Sequence, residues 1–279
     1  MLKDGVFLMS EAKIPRSLRS LGMTTKRRSA GTSGNIFIGT SGWNYPHWGD
    51  GVFYPPELRQ RAWLAFYADH FQTVEINNSF YHLPKKETFE NWRDTVPEGF
   101  IFAVKVSRFV THMKKLSEPE SSMKAFLENV SGLGGKLGPL LFQLPPFWKV
   151  NIERLESMLK YLKSQSLVRR PVCVFEFRNP TWVCDEVGGL LRRYRASLCL
   201  ADWPNLNVRD PRRSGIIYIR RHGPQELYAS GYAEPELRSE AKKIREWAGV
   251  GKRVFCYFNN DAGGRAVHDA KKLIRFISQ

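Results

Sequence analysis

Long apolar runs and paired cysteines are both missing from this sequence of 279 residues. No segment holds about 18 or more consecutive apolar residues, the length that a membrane-spanning helix needs, so we expect no such helix. The four cysteines form no C-x-x-C pair, which argues against a zinc site or a disulfide framework. Cys173, Cys199 and Cys256 stand inside apolar, strand-like runs, as buried free thiols do in a reducing compartment. We therefore predict a cytoplasmic protein that is not embedded in a membrane.

Acidic residues are scarce relative to basic ones. Lysine and arginine number 43 against 27 aspartates and glutamates, which gives a formal charge of +16. Residues 1–33 are basic, rich in serine and glycine, and lack the apolar core of a secretory signal, so we predict a disordered arm there. Since this arm holds seven Lys/Arg and two Asp/Glu, residues 34–279 keep a charge of +11. That charge favours a small anionic ligand or nucleic acid as partner, although a merely solvated basic surface explains it equally well.

A glycine-rich dinucleotide fingerprint is also absent, because the segment GTSGWNYPHW after the first apolar run has no third glycine and no helix start. Instead, short apolar runs alternate with segments of helical periodicity. This alternation predicts parallel strands joined by helices, and eight units in about 245 residues fit a closed (β/α)8 TIM-barrel-like domain, residues 34–279. An open doubly wound sheet is the alternative. The eight runs are IFIGTSGW (36–43), TVEIN (73–77), FIFAVKV (100–106), PLLFQLP (139–145), VCVFEFR (172–178), SLCLAD (197–202), IIYIRR (216–221) and RVFCYFNN (253–260).

Polar and charged residues follow the apolar part of nearly every run. In a (β/α)8 barrel, the C-terminal strand ends and the loops after them form the active site. We therefore predict that these residues meet at the barrel mouth. The predicted catalytic residues are Glu75, Lys105, Glu176 and Asp202. The predicted substrate-binding residues are Trp43, Asn77, Tyr81, Arg108, His112, Gln143, Arg178, Arg220, His222, Asn259 and Asn260.

The charged residues inside the strands allow more than one interpretation. A desolvated lysine such as Lys105 has a depressed pKa and can act as a base, a Schiff-base nucleophile or a phosphate ligand, but it can equally neutralise Glu75 or Glu176. The two carboxylates act as acid and base in one interpretation, and in the other they form structural ion pairs, such as that of Glu176 with Arg178. Residues 260–264 begin a helix and are either an anion site or a plain N-cap.

Seven motifs of this sequence resemble, in order and spacing, those of the YecE-like family, which is catalogued as domain of unknown function 72. The resemblance spans roughly residues 36–277 and implies a TIM barrel with a strand-end site, without implying a reaction. Arg221 departs from the family pattern, in which an apolar residue is usual at this position. Its charge lies on the strand face opposite Arg220, either between barrel and helices or toward solvent. The motifs are GTSGW, TVEINNSFYHLP, FIFAVKVSRFVTH, LGPLLFQLPP, FEFRNPTW, IYIRRHG and YFNND.

An enzyme fits these residues best. We expect a hydrolase or lyase that acts on an anionic, phosphorylated or sugar-containing substrate through carboxylate and lysine acid–base chemistry. No cofactor is predicted. A divalent metal held by Glu75, Glu176, Asp202 and His222 is an alternative, although the neighbouring cations would compete with it. A further alternative is a non-catalytic or metal-dependent nucleic-acid-binding protein, for which no helix-turn-helix, zinc-finger or RNA-recognition signature is present. The sequence leaves the oligomeric state open.

Overall fold

Eight parallel strands form the centre of the molecule. The computed structural model describes residues 33–204 and 215–279, so the predicted arm lies outside the described residues except for Ser33. One strand coincides with each of the eight apolar runs, although β4 begins two residues before its run. The strands are β1 Ile36–Thr40, β2 Thr73–Ile76, β3 Ile101–Lys105, β4 Leu137–Gln143, β5 Cys173–Glu176, β6 Ser197–Ala201, β7 Ile217–Arg221 and β8 Val254–Phe258. Their order is β1-β8-β7-β6-β5-β4-β3-β2, and every pair is parallel.

The barrel closes between β1 and β2 without a regular ladder. One parallel bridge, between Ser41 and Glu75, joins the two strands just beyond the end of β1. Below it the hydroxyl of Tyr67 stands between the strands, where it accepts from the amide of Thr40 at 3.0 Å and donates to the carbonyl of Thr73 at 3.1 Å. This side chain replaces the missing backbone hydrogen bond, so the closed-barrel prediction is confirmed and the open sheet is wrong.

Helices connect the strands on the outside of the barrel. In the described part of the chain they are α1 Trp63–His70, α2 Asn78–Tyr81, α3 Lys86–Thr95, α4 Pro119–Val130, α5 Ile152–Ser164, α6 Asp185–Arg193, α7 Glu234–Gly249 and α8 Arg265–Ile277. Helix α5 illustrates why these segments are helical. The side chain of Asn151 caps its start by accepting from the amide of Arg154 at 2.9 Å. Leu155, Leu159 and Leu162 then recur at helical spacing and bury one face.

Two apolar layers surround the strands. The outer layer lies between strands and helices, and the inner layer fills the barrel with side chains such as Tyr218 and Tyr257. Successive residues of a strand point to opposite faces, so residues two positions beyond an inner-layer side chain also point inward. Glu176 and Arg220 stand two residues after the inward Val174 and Tyr218, and they reach the C-terminal mouth.

The outward-facing Arg221 is covered as well. Its Nη2 lies 2.7 Å from the Oε1 of Glu240 on α7, and each of the two side chains is less than one-fifth exposed. The charge therefore lies between barrel and helix, which was one of the two expectations. No helix within residues 33–204 and 215–279 is both long and apolar enough to cross a membrane.

Candidate active site at the C-terminal mouth of the barrel

Arg220 lies at the centre of the mouth and joins two carboxylates. Its guanidinium donates through Nη1 to Glu176 Oε2 at 2.6 Å and through Nη2 to Glu75 Oε1 at 2.9 Å. The Arg220 side chain is only 1% exposed, and both glutamates are buried. Three charges from β2, β5 and β7 therefore meet out of water, where each compensates the desolvation of the others.

Glu75, the carboxylate inside β2, has a partner on each oxygen. Ser41 donates to its Oε1 at 2.8 Å, and the hydroxyl of Tyr218 donates to its Oε2 at 2.5 Å. Together with the bond from Arg220, these contacts satisfy a side chain that is fully buried. The strand can carry a carboxylate at this position because Ser41, directly after β1, and two residues of β7 supply its donors.

Glu176 is surrounded by cations and an imidazole. Arg178 donates through Nε to Oε1 at 3.0 Å, and His222 Nε2 lies 3.5 Å from the same oxygen. Burial favours the neutral acid, but the charges of Arg220 and Arg178 outweigh it and hold the pKa of Glu176 well below its ordinary value. Burial also lowers the pKa of His222, although Glu176 opposes this shift. Glu176 is thus an anion and His222 is neutral at pH 7.

Lys105 carries a buried amine that has no acidic partner within residues 33–204 and 215–279. The residue is 9% exposed, and among the described residues its Nζ forms no hydrogen bond or salt bridge. Its Nζ lies over the ring of Phe80, 4.0 Å from the ring centroid. Burial lowers the pKa of Lys105 to about 7, and the charge of Arg220 adds to this effect against the opposing charges of Glu176 and Glu75. The amine is therefore divided between its charged and neutral forms near neutral pH.

His112 extends the site from Lys105 toward the rim. Its ring packs edge-on against Phe80 at 5.0 Å, and its Nδ1 lies 2.9 Å from the hydroxyl of Thr111. Burial, followed by the charges of Lys105 and Arg108, lowers the pKa of His112 to about 4. The imidazole is therefore neutral at pH 7 and can accept a proton from a ligand only weakly.

Arg178 connects the centre to aromatic residues that the sequence analysis did not select. Its guanidinium carbon lies 3.8 Å from the centroid of Trp203, and Nη2 donates to the hydroxyl of Tyr228 at 3.4 Å. Trp203 directly follows the end of the sixth run, so its position after a strand is the sequence signal that would have identified it. Tyr228 lies further along the loop after β7, away from the strand end at which residues were selected.

The other predicted binding residues occupy separate parts of the mouth. Gln143 is buried, and its Nε2 donates to the carbonyl of Leu144 at 3.4 Å. The Nδ2 of Asn259 lies 3.1 Å from Nδ1 of His222. Asn77 donates to the carbonyl of Ser41 at 3.2 Å. Asn77, Trp43 and Tyr81 line a groove beside the mouth. Arg108, in the segment after β3, is exposed to solvent.

The structure does not bring Asp202 into this cluster. Its Oδ1 accepts from the backbone amide of His222 at 2.7 Å, and its Oδ2 accepts from the hydroxyl of Tyr232. The reason is strand parity: Ala201 packs against the inner layer of the barrel, so the next residue points outward. Our prediction that Asp202 shares one cavity with Glu75, Lys105 and Glu176 is therefore not met by this placement.

Asn260 also points away from the mouth. Its Nδ2 donates to Asp269 of α8 at 2.8 Å and to the carbonyl of Ser230 at 3.0 Å. Neither the amide nor the neighbouring Asp261 caps α8 with a side-chain hydrogen bond, and the cap residue is Gly264 in a left-handed conformation, φ 73°. The N-cap interpretation of residues 260–264 is therefore wrong in its detail.

Asp261 further weakens the anion-site interpretation. Its carboxylate accepts from Nε1 of Trp48 at 2.7 Å and lies 2.9 Å from Nε2 of His47. An acidic group thus already occupies the start of the helix, which repels a bound anion. Burial raises the pKa of Asp261 to about 6, against the opposing charge of His47.

A metal finds little support in the geometry of the donors. Within the described residues, no group of three or more His, Cys, Asp or Glu side chains is placed to hold a metal ion. Of the four ligands considered in the sequence, Glu75 and Glu176 both bind Arg220, and Asp202 lies outside the cluster. A guanidinium stands where a shared cation would have to bind.

Comparisons with known proteins agree with this architecture. The family model described as "Protein of unknown function DUF72" matches residues 37–279. The UPF0759 protein YunF of Bacillus subtilis is 28% identical over 278 residues, with 87% of this chain and 94% of YunF covered.

Two crystal structures of DUF72 family proteins share the fold. The protein from Thermotoga maritima superposes with a TM-score of 0.75 and 25% identity, covering 88% of this chain and 99% of that chain. The protein from Enterococcus faecalis gives a TM-score of 0.73 at 20% identity, with 88% and 96% covered. Because the family model matches almost the whole barrel, this chain belongs to the DUF72 family.

Proposed function

We propose that this protein is an enzyme that acts on a small anionic substrate at the C-terminal mouth of the barrel, with Lys105 as its general base. The observation that carries the proposal is the state of Lys105. Its amine is buried, has no acidic partner among the described residues, and has its pKa lowered to about 7. A base with a pKa near the working pH is the most effective one, and lysines reach that range only when the protein desolvates them.

An anion-binding role for Arg178 supports this assignment. Its Nε is bound to Glu176 and its Nη2 to Tyr228, whereas Nη1 has no partner in the described part of the chain. The stacking on Trp203 holds the guanidinium plane in place. A phosphate or carboxylate oxygen bound to Nη1 would lie at the mouth, beside the neutral or charged amine of Lys105.

The two carboxylates serve a positioning role in this proposal. A glycoside hydrolase with two carboxylates needs one of them protonated, with a raised pKa. Glu176 shows the opposite, because Arg220 and Arg178 hold its pKa low. Glu75 and Glu176 instead fix Arg220, and their charges stabilise the ammonium that forms when Lys105 takes a proton. Proton abstraction by Lys105, in a hydrolase or lyase reaction on a phosphorylated or sugar-containing substrate, is therefore the chemistry that we propose.

The cellular location is part of the same proposal. All four cysteines are free thiols, and three of them are buried. A chain that keeps unpaired thiols suits a reducing compartment, so we propose that the enzyme works in the cytoplasm.

The test is ligand capture followed by mass spectrometry. Immobilised wild type, Lys105→Met and the control Lys124→Met, which alters an exposed lysine of α4, are incubated with a metabolite extract. We expect wild type and the control to retain or convert the same anionic compound, and Lys105→Met to convert it at least about 100-fold more slowly, the range of general acid–base catalysis. Identical retention and conversion by all three proteins would overturn the proposal.

A further inference from the structure

The exposed large apolar side chains are concentrated at one end of the barrel. In the described part of the chain there are eight of them, and six lie in the segments that join the end of a strand to the outer helix that follows it, which places them around the mouth: Val52, Tyr81, Phe109, Met113, Phe147 and Tyr228. The other two, Leu167 and Val250, follow helices at the opposite end. Isolated exposed apolar residues are normal on a surface, but a one-sided distribution around a candidate site indicates an interaction surface.

Phe147 is the most exposed of these residues, at 95%, yet the backbone on both sides of it is fixed. The carbonyl of Pro146 accepts from Nδ2 of Asn179 at 2.8 Å, and the carbonyl of Trp148 accepts from Nε1 of Trp182 at 2.7 Å. The ring is therefore held out into solvent by an ordered loop. Such a ring can stack on a partner at little conformational cost.

Tyr81, in the segment after β2, also exposes its ring to solvent. It is 71% exposed, while the adjacent Phe80 is buried against His112. The strands β2 and β4 that precede Tyr81 and Phe147 lie two spacings apart in the sheet, about 10 Å. The segments that carry Tyr81 and Phe147 therefore follow next-neighbouring strands at the same end of the barrel, separated by the segment after β3.

The loop after β3 lies between these two rings and is strained. A π-helical turn spans Phe109–Met113, and Lys115, Leu116 and Glu118 adopt positive φ angles of 47°, 60° and 48°. Each such angle in a residue other than glycine costs about 1–3 kcal/mol and is found preferentially at functional sites. The strained loop presents Phe109 and Met113 to solvent.

The charge of these three loops is positive. Residues 78–85, 106–118 and 144–151 carry five lysines and arginines against a single acid, Glu118, and Lys114 already pairs with that acid at 3.1 Å. A second copy of this chain would bring the same positive charge against the rim, so self-association is disfavoured. The complementary partner is a polyanion.

A groove beside Tyr81 distinguishes between classes of polyanion. It has a volume of about 580 Å³, and its lining combines the rings of Trp43, Tyr45 and Tyr81 with the amides of Asn44, Asn77 and Asn78. Aromatic faces stack on bases, and amide side chains offer donors and acceptors to base edges. An anionic lipid surface would use the rings and the cations but not the amides.

We propose that the rim binds single-stranded nucleic acid, with bases stacked on Tyr81 and Phe147, one base in the adjoining groove, and phosphates on the basic residues between them. This binding surface does not depend on the chemistry assigned to Lys105. A strand bound here places its backbone beside the mouth, so a phosphate of the strand is one anion that could reach Arg178.

The test is fluorescence anisotropy with a short labelled oligothymidylate and an oligouridylate of the same length. A duplex and vesicles of phosphatidylcholine with phosphatidylglycerol serve as competing partners. The variants are Tyr81→Ala and Phe147→Ala, and the matched controls are Leu167→Ala and Val250→Ala, which remove exposed apolar side chains at the opposite end. All four changes affect exposed side chains, and circular dichroism checks that each variant is folded.

We expect wild type and both controls to bind a single strand more tightly than the duplex or the vesicles. Each rim variant should bind it about 5- to 150-fold more weakly, the fold-change that corresponds to 1–3 kcal/mol per stacked base. No binding of either oligonucleotide, equal effects of rim and control variants, or a preference for duplex or vesicles would overturn the proposal. None of these outcomes bears on the pKa of Lys105, so failure here is distinct from failure of the proposed enzyme.

Discussion

At the scale of the residue, the site is organised by the unequal distribution of partners among buried charges. Arg220 has two carboxylates, and each carboxylate has further donors of its own. Lys105 lies at the same mouth, and within the described part of the chain its amine contacts the ring of Phe80 but forms no salt bridge. Burying an ion without a partner is costly, and the protein limits that cost by lowering the proton affinity of the amine.

This imbalance predicts how stability depends on pH. Below pH 7 Lys105 is charged in the folded and unfolded chain, and the folded protein bears the full cost of the buried ammonium. Between pH 7 and the ordinary value of about 10.5, the unfolded chain keeps the proton that the folded protein has lost, so the stability of wild type rises. Lys105→Met should therefore be more stable than wild type at pH 6, by an amount on the order of a few kcal/mol, and this advantage should shrink as the pH rises to 9 or 10.

Urea unfolding across this pH range measures the effect. Lys124→Met, which changes an exposed lysine, should show no such pH-dependent difference from wild type. A stability difference between Lys105→Met and wild type that stays constant from pH 6 to about 10 would show that Lys105 keeps its ordinary proton affinity in the folded protein.

At the scale of the element, the weak point of the barrel is the junction of β1 and β2. Gly39 makes the close approach possible, since a Cβ there would lie 2.2 Å from the carbonyl oxygen of Thr73. The Tyr67 hydroxyl, carried in by α1, then joins the strands through Thr40 and Thr73. One buried hydroxyl thus satisfies groups that a regular parallel ladder would otherwise pair.

Removal of that hydroxyl in Tyr67→Phe should destabilise the protein by about 2–4 kcal/mol, because it leaves the amide of Thr40 and the carbonyl of Thr73 buried without partners. Denaturant unfolding measures the loss, and hydrogen exchange should show the Thr40 amide exchanging faster. Tyr161→Phe is the control, since that half-buried tyrosine makes no hydrogen bond through its hydroxyl within the described residues. Equal losses in the two variants would contradict the bridging role of Tyr67.

Elements were predictable where the pattern was local. The eight strands follow from apolar runs, and the inward direction of Glu176 and Arg220 follows from the period of two. The same rule, applied one residue further in the sixth run, would have directed Asp202 outward. The prediction placed it at the mouth because it lies at the end of a strand, and position alone does not fix the direction of a side chain.

At the scale of the whole molecule, the sequence specified the barrel but not its contacts. Alternation of strand and helix leaves few ways to bury eight parallel strands, so the architecture was predictable. The pairing of Arg220 with two carboxylates from β2 and β5 depends on register across the barrel, which no local pattern encodes. Tyr228 is a second case, because its contact with Arg178 spans 50 residues through an irregular loop.

The distribution of large exposed apolar side chains over the molecule gives the two ends of the barrel different characters. The mouth combines buried ions with a basic, aromatic rim, whereas the opposite end exposes only Leu167 and Val250 among the large apolar side chains of the described residues. The mouth is also the end at which (β/α)8 barrels carry their active sites.

The most direct test of the central claim is the pKa of Lys105 itself. Nuclear magnetic resonance of protein labelled with ¹³C at lysine Cε follows each amine through a pH titration, and the signal that is missing from Lys105→Met identifies the residue. We predict that this signal titrates with a midpoint near 7, whereas exposed lysines titrate near 10.5. A Lys105 signal that still shows a fully protonated amine at about pH 9 would contradict the assignment of this residue as the general base.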